Sequence, residues 1–319
     1  MQKVNIMTCS NRIDVHQHVV PPFWAGELTK HGGDPSGWKS PAWSPEDAIN
    51  FMDDNQIATG ILSLTAPSIT GWHGKSMIDM ARKVNEYTAA LVQKMPRRFG
   101  NFITLPLPDI DASLTEINYA YEHLDADGVV LMTNYQGIYL GDERFNSVWN
   151  ELNRRSAVVF IHPAKPPMAS IPGIPGPVID YPMDTTRTAI HMVVKGVMKR
   201  CQNINVILSH AGGFLPYASY RFAELLPGLH PTLSKDEMLG EMKKFYFDTA
   251  LSSSHVALKS LLAFAEPGHI LYGSDFPYAP ASVSTSFAHQ LDNYESYTGN
   301  QLREINYLNG LKLFPRLMK

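Results

Sequence analysis

Arg12-Ile13-Asp14-Val15-His16-Gln17-His18 reads as a strand that closes on two histidines rather than on a glycine-rich turn. Side chains alternate along a strand, so His16 and His18 share a face. Both imidazoles can reach one metal ion where the strand opens into a cleft. A doubly wound open sheet, the main rival architecture, wants a glycine-rich first turn, and none follows Val15.

The rest of the chain keeps one rhythm. After a first strand over Arg12–His16, strands are expected at Thr59–Leu64, Phe99–Leu105, Gly128–Met132, Val158–His162, Asn205–Ser209, Phe245–Asp248 and Ile270–Gly273. Between them, Ser44-Pro45-Glu46-Asp47 has the N-cap, first-turn proline and early acids of a helix start. Met77–Met95, Leu114–Leu124, Phe145–Arg155, Thr186–Arg200, Phe214–Leu226, Val256–Ala265 and Ser284–Tyr294 read as amphipathic helices. Eight strands alternating with helices, with no linker, predict an α/β fold. It is a (β/α)8 TIM-type barrel, one domain over residues 1–319 with loop insertions at its C-terminal face.

Composition narrows the function classes. With 27 basic against 30 acidic residues and a net charge of −3, no basic stripe points to nucleic acid or an anionic membrane. Met1–Ser10 lacks a signal pattern, no apolar run is long enough to span a bilayer, and Cys9 and Cys201 make no disulfide framework. A soluble, cytoplasmic protein with reduced thiols is the economical reading.

Barrel enzymes carry their chemistry at the carboxyl ends of the strands. His16 and His18 end the first strand, His162 closes the fifth, His210 follows the sixth and Asp275 follows the eighth. His123, His191, His255 and His269 fall on helices or at the opposite end and read as surface or packing residues. Three neutral imidazoles and a carboxylate suit Zn²⁺ or Mn²⁺ with open positions for water or substrate. In Ser209-His210-Ala211-Gly212-Gly213 the histidine is either a fourth nitrogen ligand or the acid/base group of the reaction.

Asp14-Val15-His16-Gln17-His18, His162-Pro163, Ser209-His210-Ala211-Gly212-Gly213 and Gly273-Ser274-Asp275-Phe276-Pro277-Tyr278 together resemble the amidohydrolase superfamily. The resemblance runs almost end to end. It is strongest to the branch of aminocarboxymuconate semialdehyde decarboxylase and the nonoxidative aromatic acid decarboxylases. Val20-Pro21-Pro22-Phe23, Gly33-Asp34-Pro35-Ser36-Gly37-Trp38 and Ser63-Leu64-Thr65-Ala66-Pro67 look most like 6-methylsalicylate decarboxylases.

The resemblance implies His16, His18, His162 and Asp275 as metal ligands and His210 as the catalytic histidine. It also implies Arg221 as a contact to the substrate carboxylate, in some members across a homodimer interface. Binuclear members carry a carboxylated lysine at the end of strand 4, where this chain has Leu131-Met132-Thr133-Asn134. One divalent ion is therefore expected, Zn²⁺ ahead of Mn²⁺. His16 stands where resorcylate-type decarboxylases resemble the motif with a glutamate, which counts against a resorcylate substrate.

The implied reaction is metal-dependent decarboxylation of an ortho-hydroxylated aromatic acid, 6-methylsalicylate giving 3-methylphenol and CO2. Direct loss of CO2 would leave an sp² carbanion, so the ring carbon must be protonated first. Asp275 is expected as the immediate donor with His210 setting its proton state, which requires a raised Asp275 pKa. A lactone or cyclic-ester hydrolase would use almost the same residues, and a barrel that binds a metabolite without turnover is a third reading. Phe23, Trp24, Trp38, Trp72, His73 and Tyr278 fall in strand-to-helix loops, with Phe23 and Trp38 taken as substrate contacts. The proline-rich stretch Pro163–Pro182 reads as a loop that serves as a lid, a dimer contact or plain surface.

Overall fold

The computed structural model describes residues 11–230 and 233–318; Cys9 and the rest of Met1–Ser10 lie outside them. Eight parallel strands follow one another in sequence order. They are β1 Arg12–Val19, β2 Ile57–Leu64, β3 Phe99–Thr104, β4 Gly128–Met132, β5 Val158–His162, β6 Asn205–Leu208, β7 Tyr246–Asp248 and β8 Ile270–Leu271. The ring closes where Val15 N–H donates to the Tyr272 carbonyl (3.0 Å), His18 N–H to Phe276 (2.8 Å) and Asp275 N–H to His16 (2.8 Å). All eight expected strands are present, and the fold is the (β/α)8 barrel.

Runs such as Val158-Val159-Phe160-Ile161 are buried because a barrel strand has side chains in the barrel on one face and helices on the other. Inside, the ring of Phe160 stacks on Phe102 (5.5 Å) and packs edge-on to His16 (4.8 Å), while Phe102 leans on Phe314 (5.9 Å). These aromatics fill the barrel beneath the histidines and give them a solid floor.

The surrounding helices include α1 Pro22–Leu28, α2 Pro45–Asp54, α3 Gly74–Lys94, α4 Ile110–His123, α5 Asn146–Arg154 and α6 Gly176–Val194. They continue as α7 Val197–Arg200, α8 Leu215–Leu225, α9 Lys235–Lys243, α10 His255–Phe264 and α11 Ala281–Asp292. Ser44 caps α2 as expected, its Oγ accepting Asp47 N–H at 3.1 Å.

The stretch Pro163–Pro182 is a loop only as far as Pro175. Proline is compatible with the first turn of a helix, so Pro177 follows Gly176 in the first turn of α6 instead of preventing it, and Pro182 lies inside it. The expected helix Thr186–Arg200 thus begins ten residues earlier, at Gly176, and breaks at left-handed Gly196 (φ 70°). The small hairpin of Asn134–Tyr135 and Ile138–Tyr139 was not foreseen. It joins Thr133 and Asn134 in holding α6. Buried Asp184 accepts hydrogen bonds from Asn134 Nδ2 (2.8 Å), Tyr139 Oη (2.6 Å) and Thr133 Oγ1.

Candidate active site

His16 and His18 extend from β1, His162 from the end of β5, and Asp275 from the turn after β8. Their donor atoms lie within 4.8 Å of one another and all four residues are buried. His16 Nε2 is 3.1 Å from His18 Nε2 and 3.2 Å from Asp275 Oδ1, which is 3.1 Å from His18 Nε2. The outward nitrogens explain why the inward ones converge. His16 Nδ1 meets Asp248 Oδ2 (2.8 Å), His18 Nδ1 meets the Ser63 carbonyl (3.2 Å), and His162 Nδ1 meets the Pro163 carbonyl (2.8 Å). Asp248 and the two carbonyls only accept, and Ser63 Oγ, 3.1 Å from His18 Nδ1, donates its own proton to the Gln17 carbonyl, so each Nδ1 carries a proton and the Nε2 atoms face one another.

Such a cluster fits a cation. With all three imidazoles neutral, Nε2 lone pairs at this spacing would repel one another, and a divalent ion bound by three imidazoles and a carboxylate would remove the conflict. Burial lowers the pKa of His18, and burial with the neighbouring imidazoles His18 and His16 lowers that of His162 well below its usual value. Both are therefore neutral and ready to ligate. Burial opposes charge on His16 too, but Asp248 and Asp275 outweigh it and push its pKa up to about 10. Metal uptake would expel that proton.

His210 sits beside the cluster on the turn after β6, its Nε2 3.4 Å from Asp275 Oδ2. His210 and Ala211 adopt left-handed backbone (φ 54° and 55°), as do Gly212 and Gly213. At Gly213 a Cβ would lie 1.9 Å from the Pro182 carbonyl, so this close approach of the turn to α6 requires glycine. The role expected of Asp275, immediate proton donor with His210 setting its proton state, calls for a raised pKa in the metal-loaded enzyme. Burial raises it, but His16, His18 and His210 outweigh burial and hold the carboxyl well below its usual range.

A cavity of about 340 Å³ opens over His162, His210 and Asp275. Of the aromatic residues expected around a substrate, Trp38 and Tyr278 line it, joined by a Trp38 Nε1–H bond to the Tyr278 carbonyl (3.1 Å). Phe23 is not among the lining residues. On α1 it is half-buried against α3, edge-on to Tyr87 (5.7 Å) and under the Lys83 ammonium (4.2 Å). Trp24 and Trp72 are buried in packing instead. Arg221 is on the exposed face of α8 and also outside the lining. Tyr181, Pro177 and Pro182 of α6 do line the cavity.

Asp248 was missed. It ends the seventh strand as His162 ends the fifth, and that shared position was the available signal. Thr65, just past β2, was also overlooked, with Oγ1 3.4 Å from His162 Nε2.

The sequence pattern of the family described as Amidohydrolase matches residues 13–316. Decarboxylase yanB of Aspergillus niger is 42% identical over 323 residues, covering 96% of this chain and 88% of that protein. The 6-methylsalicylic acid decarboxylase of Penicillium expansum is 42% identical over 315 residues, covering 96% of this chain and 97% of that protein. A crystal structure described as an amidohydrolase II superposes with a TM-score of 0.90 at 32% identity, covering 97% of this chain and 100% of its own. A pattern running from the first barrel strand to the last helical turn makes this chain a member of the amidohydrolase family.

Proposed function

We propose that the chain, one barrel domain, is a metal-dependent decarboxylase of ortho-hydroxylated aromatic acids, with 6-methylsalicylate as substrate and 3-methylphenol and CO2 as products. The observation that carries this is the convergence of His16, His18, His162 and Asp275 beside His210, in a chain similar throughout to 6-methylsalicylic acid decarboxylases. His16, His18, His162 and Asp275 would hold one divalent ion, Zn²⁺ before Mn²⁺. Bound there, it would supply Lewis acidity to the substrate's phenolate and carboxylate oxygens.

The protein's own share is position and proton. Trp38 and Tyr278 confine a flat ring. His210, which shares the cavity with the ring, delivers a proton to the carbon bearing the carboxylate, with Asp275 Oδ2 steadying its imidazole. The C–C bond then breaks, its electron pair restores the aromatic sextet, and CO2 leaves. Turnover in deuterium oxide is expected to give 3-methylphenol with one ring deuterium, read by mass spectrometry. An unlabelled product, or turnover of lactones instead, would favour the hydrolase reading.

No lysine or arginine lines the cavity among the described residues, although the substrate is a carboxylate. Arg221 answers that need if it comes from a second copy. Its helix also exposes Tyr217 (87%) and Tyr220 (63%), and neighbouring α6 exposes Val178 (62%), an apolar surface suited to burial in a homodimer. Arg221→Ala is expected to raise KM by about 10–100-fold, the loss of a charge-assisted hydrogen bond. Steady-state kinetics, with the dimer checked by ultracentrifugation, reads it; an unchanged KM removes Arg221 from the site. The free, buried thiol of Cys201 goes with a cytoplasmic setting.

A further inference from the structure

We propose that Asp248 is a positioning residue that locks the metal-ligating and proton-transfer halves of the site into one unit. It ends β7 with its side chain wholly buried. One oxygen, Oδ2, receives His16 Nδ1–H at 2.8 Å. The other, Oδ1, receives the backbone N–H of His210 and of Ala250, each at 2.9 Å. A single carboxylate thus fixes which nitrogen of His16 faces the ligand cluster. It also pins the start of the left-handed turn that carries the His210 ring (φ 54°).

The packing is built around this pair. At Gly273 a Cβ would lie 2.9 Å from His16 Cβ and 3.1 Å from Asp248 Cβ, so only glycine lets the chain leaving β8 pass behind them. A carboxylate is also the one group that satisfies all three donors, because both of its oxygens only accept. Asparagine cannot do so in either orientation. With its NH2 toward His16, Nδ1 must become the acceptor, and the His16 proton moves to Nε2, where a metal should bind. With its oxygen toward His16, its NH2 confronts the two backbone N–H donors and the His210 turn loses its anchor.

The inference rests on the reading of the cluster as a metal centre, and its test separates the two. Metal-free wild type and Asp248→Asn are titrated with Zn²⁺ against a chelator, with circular dichroism as the check on folding. Asp248→Asn is expected to bind Zn²⁺ about 10–100-fold more weakly than wild type. Equal affinity in the two proteins overturns the role of Asp248 and leaves the metal centre intact. A wild type that takes up no Zn²⁺ overturns both. Should Asp248→Asn not fold, ¹⁵N NMR of histidine-labelled, Zn²⁺-loaded wild type decides. A protonated Nδ1 on His16 is the expected result, and an Nδ1 without a proton overturns the proposal.

Discussion

His210→Asn is expected to lower turnover of 6-methylsalicylate by about 10²–10⁴-fold, the usual contribution of a positioned general acid, while leaving metal content at the wild-type level. His210 packs edge-on to the His16 ring (4.9 Å) but its polar contact with the ligand cluster is with Asp275 Oδ2, at 3.4 Å, whereas Asp275 Oδ1 lies 3.1–3.2 Å from the His18 and His16 nitrogens. Asp275→Asn should therefore differ in kind, losing metal and turnover together. Elemental analysis beside single-turnover kinetics distinguishes the two variants. Were His210→Asn to lose its metal as Asp275→Asn does, His210 would be a ligand and the proton would have to come from elsewhere.

Phe160→Ala is expected to remove about 3–5 kcal/mol of stability, the range for deleting a large aromatic from a packed core. The side chain is fully buried between Phe102 and the His16 ring. Phe102, stacked on it, is itself packed against Phe314, which restrains it from moving into the space. Urea unfolding of metal-loaded wild type and variant provides the comparison. A loss below about 1 kcal/mol would mean that the barrel interior repacks and that the floor under His16 is less rigid than drawn. Phe160→Leu, which keeps an apolar side chain there, should lose less.

Much of this was legible in the sequence because barrel strands are short, apolar and bounded by the residues they present. Val158–His162 names its strand and its ligand in one stretch, and Gly128–Met132 has the same limits in sequence and structure. Position relative to a strand end was enough to gather His16, His18, His162, His210 and Asp275. Facing was harder. Phe23 and Trp38 both follow the first strand, but Phe23 lies on a seven-residue helix whose buried face belongs to Trp24 and Leu28, and a loop reading has no means of telling these apart. The proline density of Pro163–Pro182 hid a helix start, since proline breaks a helix in its interior and is welcome in its first turn. Asp248 escaped because its role depends on a histidine 232 residues away in the chain.

The Asp184 anchor also bears on how this barrel could be re-engineered. Thr133, just past the fourth strand, turns its hydroxyl toward α6 and not toward the ligand cluster. Here Thr133 spends its hydroxyl twice, donating to Asp184 and accepting Ala164 N–H at 2.9 Å. Replacing it would unmoor α6, the helix that supplies Tyr181 and Pro182 to the cavity. The shape of the pocket is thereby tied to one side chain at the mouth of the fourth strand, and a redesign of that mouth would demand a new wall.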